Sequence, residues 1–254
     1  MTLDYYRESL AYELAFAMEA IDDPRCPFEQ FSKLCVEATV KFRALAIIGL
    51  LATGDHELFC HNLIRSGRVR QSYLQRARKS GATNDHHFAS GRFEPMLDAL
   101  AAGDGGLARM IFASSPAEWR TDQEYEDDYC YAQIIGRLIA GADGDFNPFV
   151  ERLAAFAAGE TVPRLDVSRA LIERSEADFA VAFADLVEAR HLQIERDRER
   201  GQLEDAVVLA NRQIYVEGLA LLRLAGALSL ATEPEYMFCP SLARLPMRVP
   251  FPGD

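Results

Sequence analysis

Apolar residues recur at Leu10, Leu14, Ala17 and Ile21 in an otherwise charged stretch. That three- and four-residue spacing belongs to a helix with one buried face. It predicts a first helix over residues 3–21. Asp22-Asp23-Pro24-Arg25-Cys26-Pro27 stops it, because proline lacks an amide donor and restricts the residue before it. A second helix is predicted over 28–53. Its later half, from Phe42 to Leu51, is apolar on most faces and so belongs between neighbours. The pattern then predicts helices over 55–64, 68–79, 86–102 (with Pro95 as a kink or restart), 106–114, 117–141, 149–158 and 166–189. Charges of both signs interleave from Phe183 to Asp205, which suits a solvated helix face or a helix–loop junction. Gln213 to Leu230 is rich in alanine and leucine and predicts a core helix. No segment sustains the two-residue alternation of a strand.

Helix ends carry a recurring signature. Leu51-Ala52-Thr53-Gly54-Asp55, Leu100-Ala101-Ala102-Gly103-Asp104 and, more loosely, Ile139-Ala140-Gly141-Ala142-Asp143-Gly144-Asp145 each close an apolar run with glycine and restart with aspartate. Glycine accepts the left-handed conformation that ends a helix, and aspartate accepts from the free amides that open the next. The Gly-Asp pairs stand 49 and 41 residues apart, a helical-repeat spacing. The expected architecture is all-α: one domain over residues 1–254, built of stacked antiparallel helical hairpins. Residues 233–254 hold Pro234, Pro240, Pro246, Pro250 and Pro252 and are expected to form an extended tail wrapping the body.

With 254 residues and 49% hydrophobic content, the chain can bury a sizeable core. Its formal net charge of -12 argues against nucleic acid and anionic membrane as partners and favours a basic one. The five cysteines, Cys26, Cys35, Cys60, Cys130 and Cys239, form no Cys-x-x-Cys and suit a reducing compartment as buried thiols. The N-terminal residues lack a basic, then apolar, leader, and no run is long enough to span a bilayer. A cytoplasmic protein is expected.

Catalytic signals are sparse. Gly-x-Ser-x-Gly, Gly-x-x-x-x-Gly-Lys and Gly-x-Gly-x-x-Gly are missing, and five histidines leave little for acid–base networks. Glu188-Ala189-Arg190-His191 is one Glu-x-x-His, whereas helical di-metal sites use two. Glu57 and His61 stand four apart rather than three. Asp85-His86-His87 could ligate a metal, but an aspartate capping a helix start accounts for it more simply. No cofactor or metal is expected, and a metal enzyme built on Glu188 and His191 is the alternative. Arg65, Arg68, Arg70, Arg76, Arg78 and Lys79 surround Tyr73 without an intervening acid. A solvated face, or contact with an acidic neighbour, is favoured there over nucleic-acid binding.

The opposite cluster runs from Glu118 to Tyr131 and includes Trp119, Asp122, Glu124, Tyr125, Glu126, Asp127, Asp128 and Tyr129. Acids steer a basic partner and aromatics anchor it. Glu118, Trp119, Asp122, Glu124, Tyr125, Glu126, Asp127, Asp128 and Tyr129 are therefore the candidate partner-binding residues. The competing possibility is an acidic helix whose Trp119, Tyr125 and Tyr129 pack inward.

Asn211-Arg212-Gln213-Ile214-Tyr215-Val216-Glu217-Gly218-Leu219-Ala220-Leu221-Leu222-Arg223-Leu224-Ala225, followed by Glu233-Pro234-Glu235-Tyr236-Met237-Phe238-Cys239-Pro240, resembles the close of the immunity protein 49 family of bacterial polymorphic toxin systems. Its Tyr-x-x-Pro-like element carries one extra residue here. Upstream, Leu186–His191 and the Leu51–Asp55 helix end resemble further family features. The resemblance implies an all-α cytoplasmic protein that neutralises a toxin, with no catalytic residues to carry over. Physically, Gly218 would allow a close approach and Tyr236 would pin the tail. The expected partner is a cognate toxin with its active site occluded, and a basic one such as a nuclease would suit the charge. A general helical scaffold for another protein is the further alternative.

Overall fold

The computed structural model describes residues 2–141, 144–156, 162–201 and 205–252. Among them all regular structure is helical. The elements are α1 (Leu3–Asp22), α2 (Phe28–Thr53), α3 (His56–Ser80), α4 (Glu94–Ala101), α5 (Gly105–Ser114), α6 (Glu126–Ala140), α7 (Asn147–Ala155), α8 (Pro163–Glu173), α9 (Glu176–Glu199), α10 (Ala206–Gln213) and α11 (Val216–Ala227). Short 3-10 turns lie at His86–Phe88 and Ser241–Arg244. One isolated bridge, between Tyr236 and Cys239, stands where a sheet protein would have strands. The fold is all-α, as the sequence pattern implies.

The helix-end signature acts as local chemistry. Gly54 closes α2 at φ 68° with its amide on the Leu50 carbonyl, and the Asp55 carboxylate then accepts from Leu58 N at 2.9 Å. Gly103, at φ 89°, and Asp104 repeat the arrangement before α5, where Asp104 accepts from Leu107 N at 2.9 Å. Gly141 closes α6 in the left-handed conformation, and Asp145 accepts from Asn147 N at 2.9 Å. Ala142 and Asp143 lie outside the described residues.

α2 packs against α1, α3 and α10, while α4 lies against α3, α5 and α11. Gly54 and Asp55 alone join α2 to α3, so these two long helices fold back on each other as a hairpin. Their apolar stripes interlock through Phe42, Ile47, Phe59, Leu63 and Tyr73. Each side chain of this size, fully buried, contributes about 1.5–3 kcal/mol. A polar tie also crosses the layer. Arg43 Nε donates to Asp98 at 2.6 Å, and Ser66 Oγ donates to the other carboxylate oxygen at 2.5 Å, joining α2, α3 and α4.

Several predicted boundaries move, each for a tertiary reason. The expected break at 64–68 is absent and α3 runs unbroken. Gly67 serves contact instead: a Cβ there would lie 2.8 Å from Leu107 Cδ2 and 3.1 Å from Ala99 Cβ. The predicted 86–102 helix divides into the 3-10 turn and α4, with Pro95 in the first turn of α4. The predicted 166–189 helix also divides. Arg174 turns left-handed at φ 53°, and Ser175 caps α9 by accepting from Asp178 N at 3.3 Å. The predicted 117–141 helix starts only at Glu126, and the core helix predicted over 213–230 begins at Val216. The predicted 149–158 helix ends at Ala155, with Ala157 and Ala158 outside the described residues.

After α11 the tail is clipped to the body by scattered bonds. Tyr215 N donates to the Phe238 carbonyl at 2.9 Å, and Arg223 Nη2 donates to the Leu245 carbonyl at 2.6 Å. The Tyr236 ring stands edge-on to Phe183 at 4.8 Å, and its hydroxyl accepts from Glu233 N at 2.8 Å. Gly218 makes room for this tail: a Cβ there would meet Cys239 Sγ at 2.7 Å. Further along, the Glu57 carboxylate accepts from Arg248 N at 2.7 Å, and His61 Nε2 lies 3.2 Å from the Val249 carbonyl.

Candidate functional site

The first part of the acidic, aromatic segment, residues 118–125, is a non-helical strap between α5 and α6, and its second part, from Glu126, opens α6. Its bonds explain why. Glu124 accepts from Arg120 N at 3.1 Å, from Ser90 Oγ at 3.1 Å and from Gly91 N, so its carboxylate anchors the strap to the loop before α4. Trp119 Nε1 donates to the Glu124 carbonyl at 3.4 Å. Tyr129, buried at the start of α6, donates its hydroxyl to the Ala117 carbonyl at 2.8 Å. Gln133 Nε2 donates to the Pro116 carbonyl at 3.3 Å. Side chains thereby satisfy strap groups that a helix would have paired internally.

The nine candidate residues fall into two sets. Glu124, Glu126, Asp128 and Tyr129 are engaged within the fold. Glu126 accepts from Arg152 Nε at 2.6 Å, and the Arg152 guanidinium lies 5.3 Å from both the Trp119 and the Tyr129 rings. Asp128 accepts from Arg164 Nη1 at 3.2 Å, while Arg164 also grips both Glu217 carboxylate oxygens at 2.8 Å. Burial raises the Asp128 pKa against the opposing pull of Arg164. Burial works to lower that of Arg164, but Glu217 outweighs it and holds the guanidinium charged. Burial likewise raises the Tyr129 phenol.

Glu118, Asp122, Tyr125 and Asp127 form the second set and face solvent. Tyr125 is 79% exposed, so the inward packing considered for it does not occur. Trp119 is half-buried, between the two sets. Glu118, Trp119 and Asp122 line one cleft of about 630 Å³ against Thr83 and Phe88. Asp122, Glu124, Tyr125 and Asp128 line another of about 410 Å³ against Gly91 and Arg92. The strap is thus the shared wall of two clefts.

The basic run on α3 is not a uniformly solvated face. Arg70 is 5% exposed and donates to the His87 and Ala89 carbonyls; burial lowers its pKa to about 10. Arg78 donates to the Ser114 carbonyl at 3.0 Å, and Tyr73 is fully buried. Arg65, Arg68 and Arg76 line a groove. The partners of Arg70, Arg76 and Arg78 are backbone carbonyls, where the sequence suggested either solvent or an acidic neighbour.

Glu188 is exposed and His191 half-buried, with the imidazole 6.3 Å from the Phe238 ring. Among the described residues no third ligand joins them. Glu57 and His61 instead hold the tail backbone. At Asp85, His86 and His87, candidate ligand atoms lie within 4.8 Å of one another, yet Asp85 caps the 3-10 turn by accepting from His87 N at 2.8 Å. Four cysteines are buried, and burial raises Cys35, Cys60 and Cys239 to about 12 and Cys130 to about 11, which disfavours the reactive thiolate. The Arg164–Glu217–Asp128 junction was missed by sequence reasoning, although Glu217 stands in the stretch that carries the family resemblance.

A family model described as Immunity protein 49 matches residues 55–242. The match opens at the cap of α3, includes the whole strap and closes in the tail's 3-10 turn. No curated protein and no solved structure matches the chain. No helix among the described residues is long and apolar enough to cross a membrane.

Proposed function

This chain belongs to the immunity protein 49 family, and from that premise we propose that it binds a cognate bacterial toxin in the cytoplasm and blocks the toxin's active site without catalysing a reaction. Family membership is the observation that carries this reading. The strap supports a location for the contact. Glu118, Asp122 and Asp127 leave their carboxylates in solvent, and Tyr125 offers an aromatic ring on a backbone that Glu124 already holds in place. A pre-ordered loop loses little entropy when it docks, and an exposed tyrosine can anchor a complex. Trp119, Glu124, Glu126, Asp128 and Tyr129 would act behind that surface by fixing its shape. Apolar side chains from Leu10 on α1 to Ala243 in the tail join one buried cluster, which supports treating residues 1–254 as a single domain.

The net charge of -12 favours a basic toxin, of which a nuclease is one kind. Co-purification with the C-terminal domain of the toxin encoded beside this gene tests the pairing. Binding should abolish toxin activity, and the association rate should fall as salt rises. A neighbour toxin that neither binds nor loses activity would reject the reading.

A further inference from the structure

A second surface has the opposite electrical character. α1, α2 and α3 enclose a groove of about 860 Å³, with Phe251 of the tail at one end. Its apolar lining offers the partly buried Met18 of α1 and Leu45 of α2 above Leu14, Phe42 and Val69, which are buried in the core. Along the α3 wall stand Arg65, Arg68 and Arg76. This concentration of positive charge occurs in a chain of net charge -12.

Arg65 Nη1 donates to the neutral Asn62 Oδ1 at 2.9 Å. Arg76 donates to the Cys26 carbonyl and lies 4.1 Å from the Phe31 ring. Neither of these two forms an ion pair with a carboxylate among the described residues, and a guanidinium has five N–H groups to give. Asp22, on the α1 wall, is the opposing charge within the lining.

Spacing selects the occupant. Arg65 and Arg76 are separated by eleven residues of continuous helix, about 16 Å at 1.5 Å per residue. A ligand with one carboxylate or phosphate reaches only one end of such a row. A nucleic acid would meet the row but gain nothing from the apolar floor. A helix with acids along one face and leucine-like residues along the other satisfies both, by the groove-docking mode of amphipathic helices. The geometry points to this groove as the docking site for an acidic amphipathic helix of a partner protein. The inference does not depend on toxin neutralisation, because it rests on the shape and charge of the groove alone.

The test uses the full chain and a fluorescein-labelled peptide of about five helical turns, with glutamates on one face and leucines on the other. The control is a scrambled peptide of equal composition. Anisotropy should show saturable binding of the amphipathic peptide at one per chain and markedly weaker binding of the control. The Arg65→Gln/Arg76→Gln double variant should weaken binding about tenfold, the combined scale of two partly exposed charge pairs. Ala15→Glu places a repelling charge at an exposed position of the α1 wall and should weaken binding without touching the arginine contacts. Unchanged thermal unfolding of that second variant separates the loss of binding from loss of fold. Equal binding of the scrambled peptide, full affinity in both variants, or stoichiometric displacement by laurate or by a short oligonucleotide would each overturn the assignment.

Discussion

The acidic strap and the basic wall of α3 look alike as sequence, each a run of like charge around aromatic residues, but the fold treats them differently. Across the strap and the first turn of α6, Glu124, Glu126 and Asp128 spend their charge on bonds to other parts of the protein, whereas Glu118, Asp122 and Asp127 are exposed, Asp127 accepting only from the adjacent Asp128 N. On α3, Arg70, Arg76 and Arg78 all donate to backbone carbonyls, and Arg76 also borders the groove beside Arg65 and Arg68. A charge run therefore divides into structural and presented groups. Density of charge along the chain does not tell which is which; the bonds each group makes do.

The sharpest way to break this contrast is Glu124→Ala. It would strand Gly91 N, Arg120 N and Ser90 Oγ without their acceptor, and should cost about 2–3 kcal/mol in denaturant unfolding. If Glu124 were merely a steering acid, stability would hold and only the association rate with the toxin would change. Tyr125→Ala should do the reverse. Unfolding should stay within about 0.5 kcal/mol of the parent, because the ring is exposed, while affinity for the toxin should drop by about 2 kcal/mol in a titration. Replacing Asp122 and Asp127 together by asparagine is expected to cost about 0.5–1 kcal/mol of binding, seen as a slower on-rate at low salt that converges with the parent at high salt.

The smallest effect concerns the end of the groove. Donation from Arg248 N and, more weakly, Val249 N holds the Glu57 carboxylate below its ordinary pKa. Its contribution to tail docking is present above the unfolded value and lost as pH falls through the lower folded one. The neighbouring Phe251 ring should thus loosen only below about pH 4, which exchange-broadened signals of that ring would report. Loosening already near neutral pH would remove Glu57 as the clamp.

What the sequence determined is local. The spacing of Leu10, Leu14, Ala17 and Ile21, the glycine–aspartate pairs at 54–55 and 103–104, and the Ala/Leu-rich run after Val216 specify helices and their ends through bonds made within a turn or two. The Asn211–Pro240 stretch also carried the family signal. Tertiary structure decided the rest. The break expected between 64 and 68 does not form, and Gly67 within it is a contact point because Leu107 and Ala99 arrive against it. Residues 117–125 have helical composition, but the Tyr129, Trp119 and Glu124 side chains bind the strap's backbone in a non-helical path. Arg174 and Ser175 divide a helix that periodicity alone would continue. Period and caps act between residues close in the chain, whereas which charge is consumed and which is offered depends on partners that only folding brings within bonding distance.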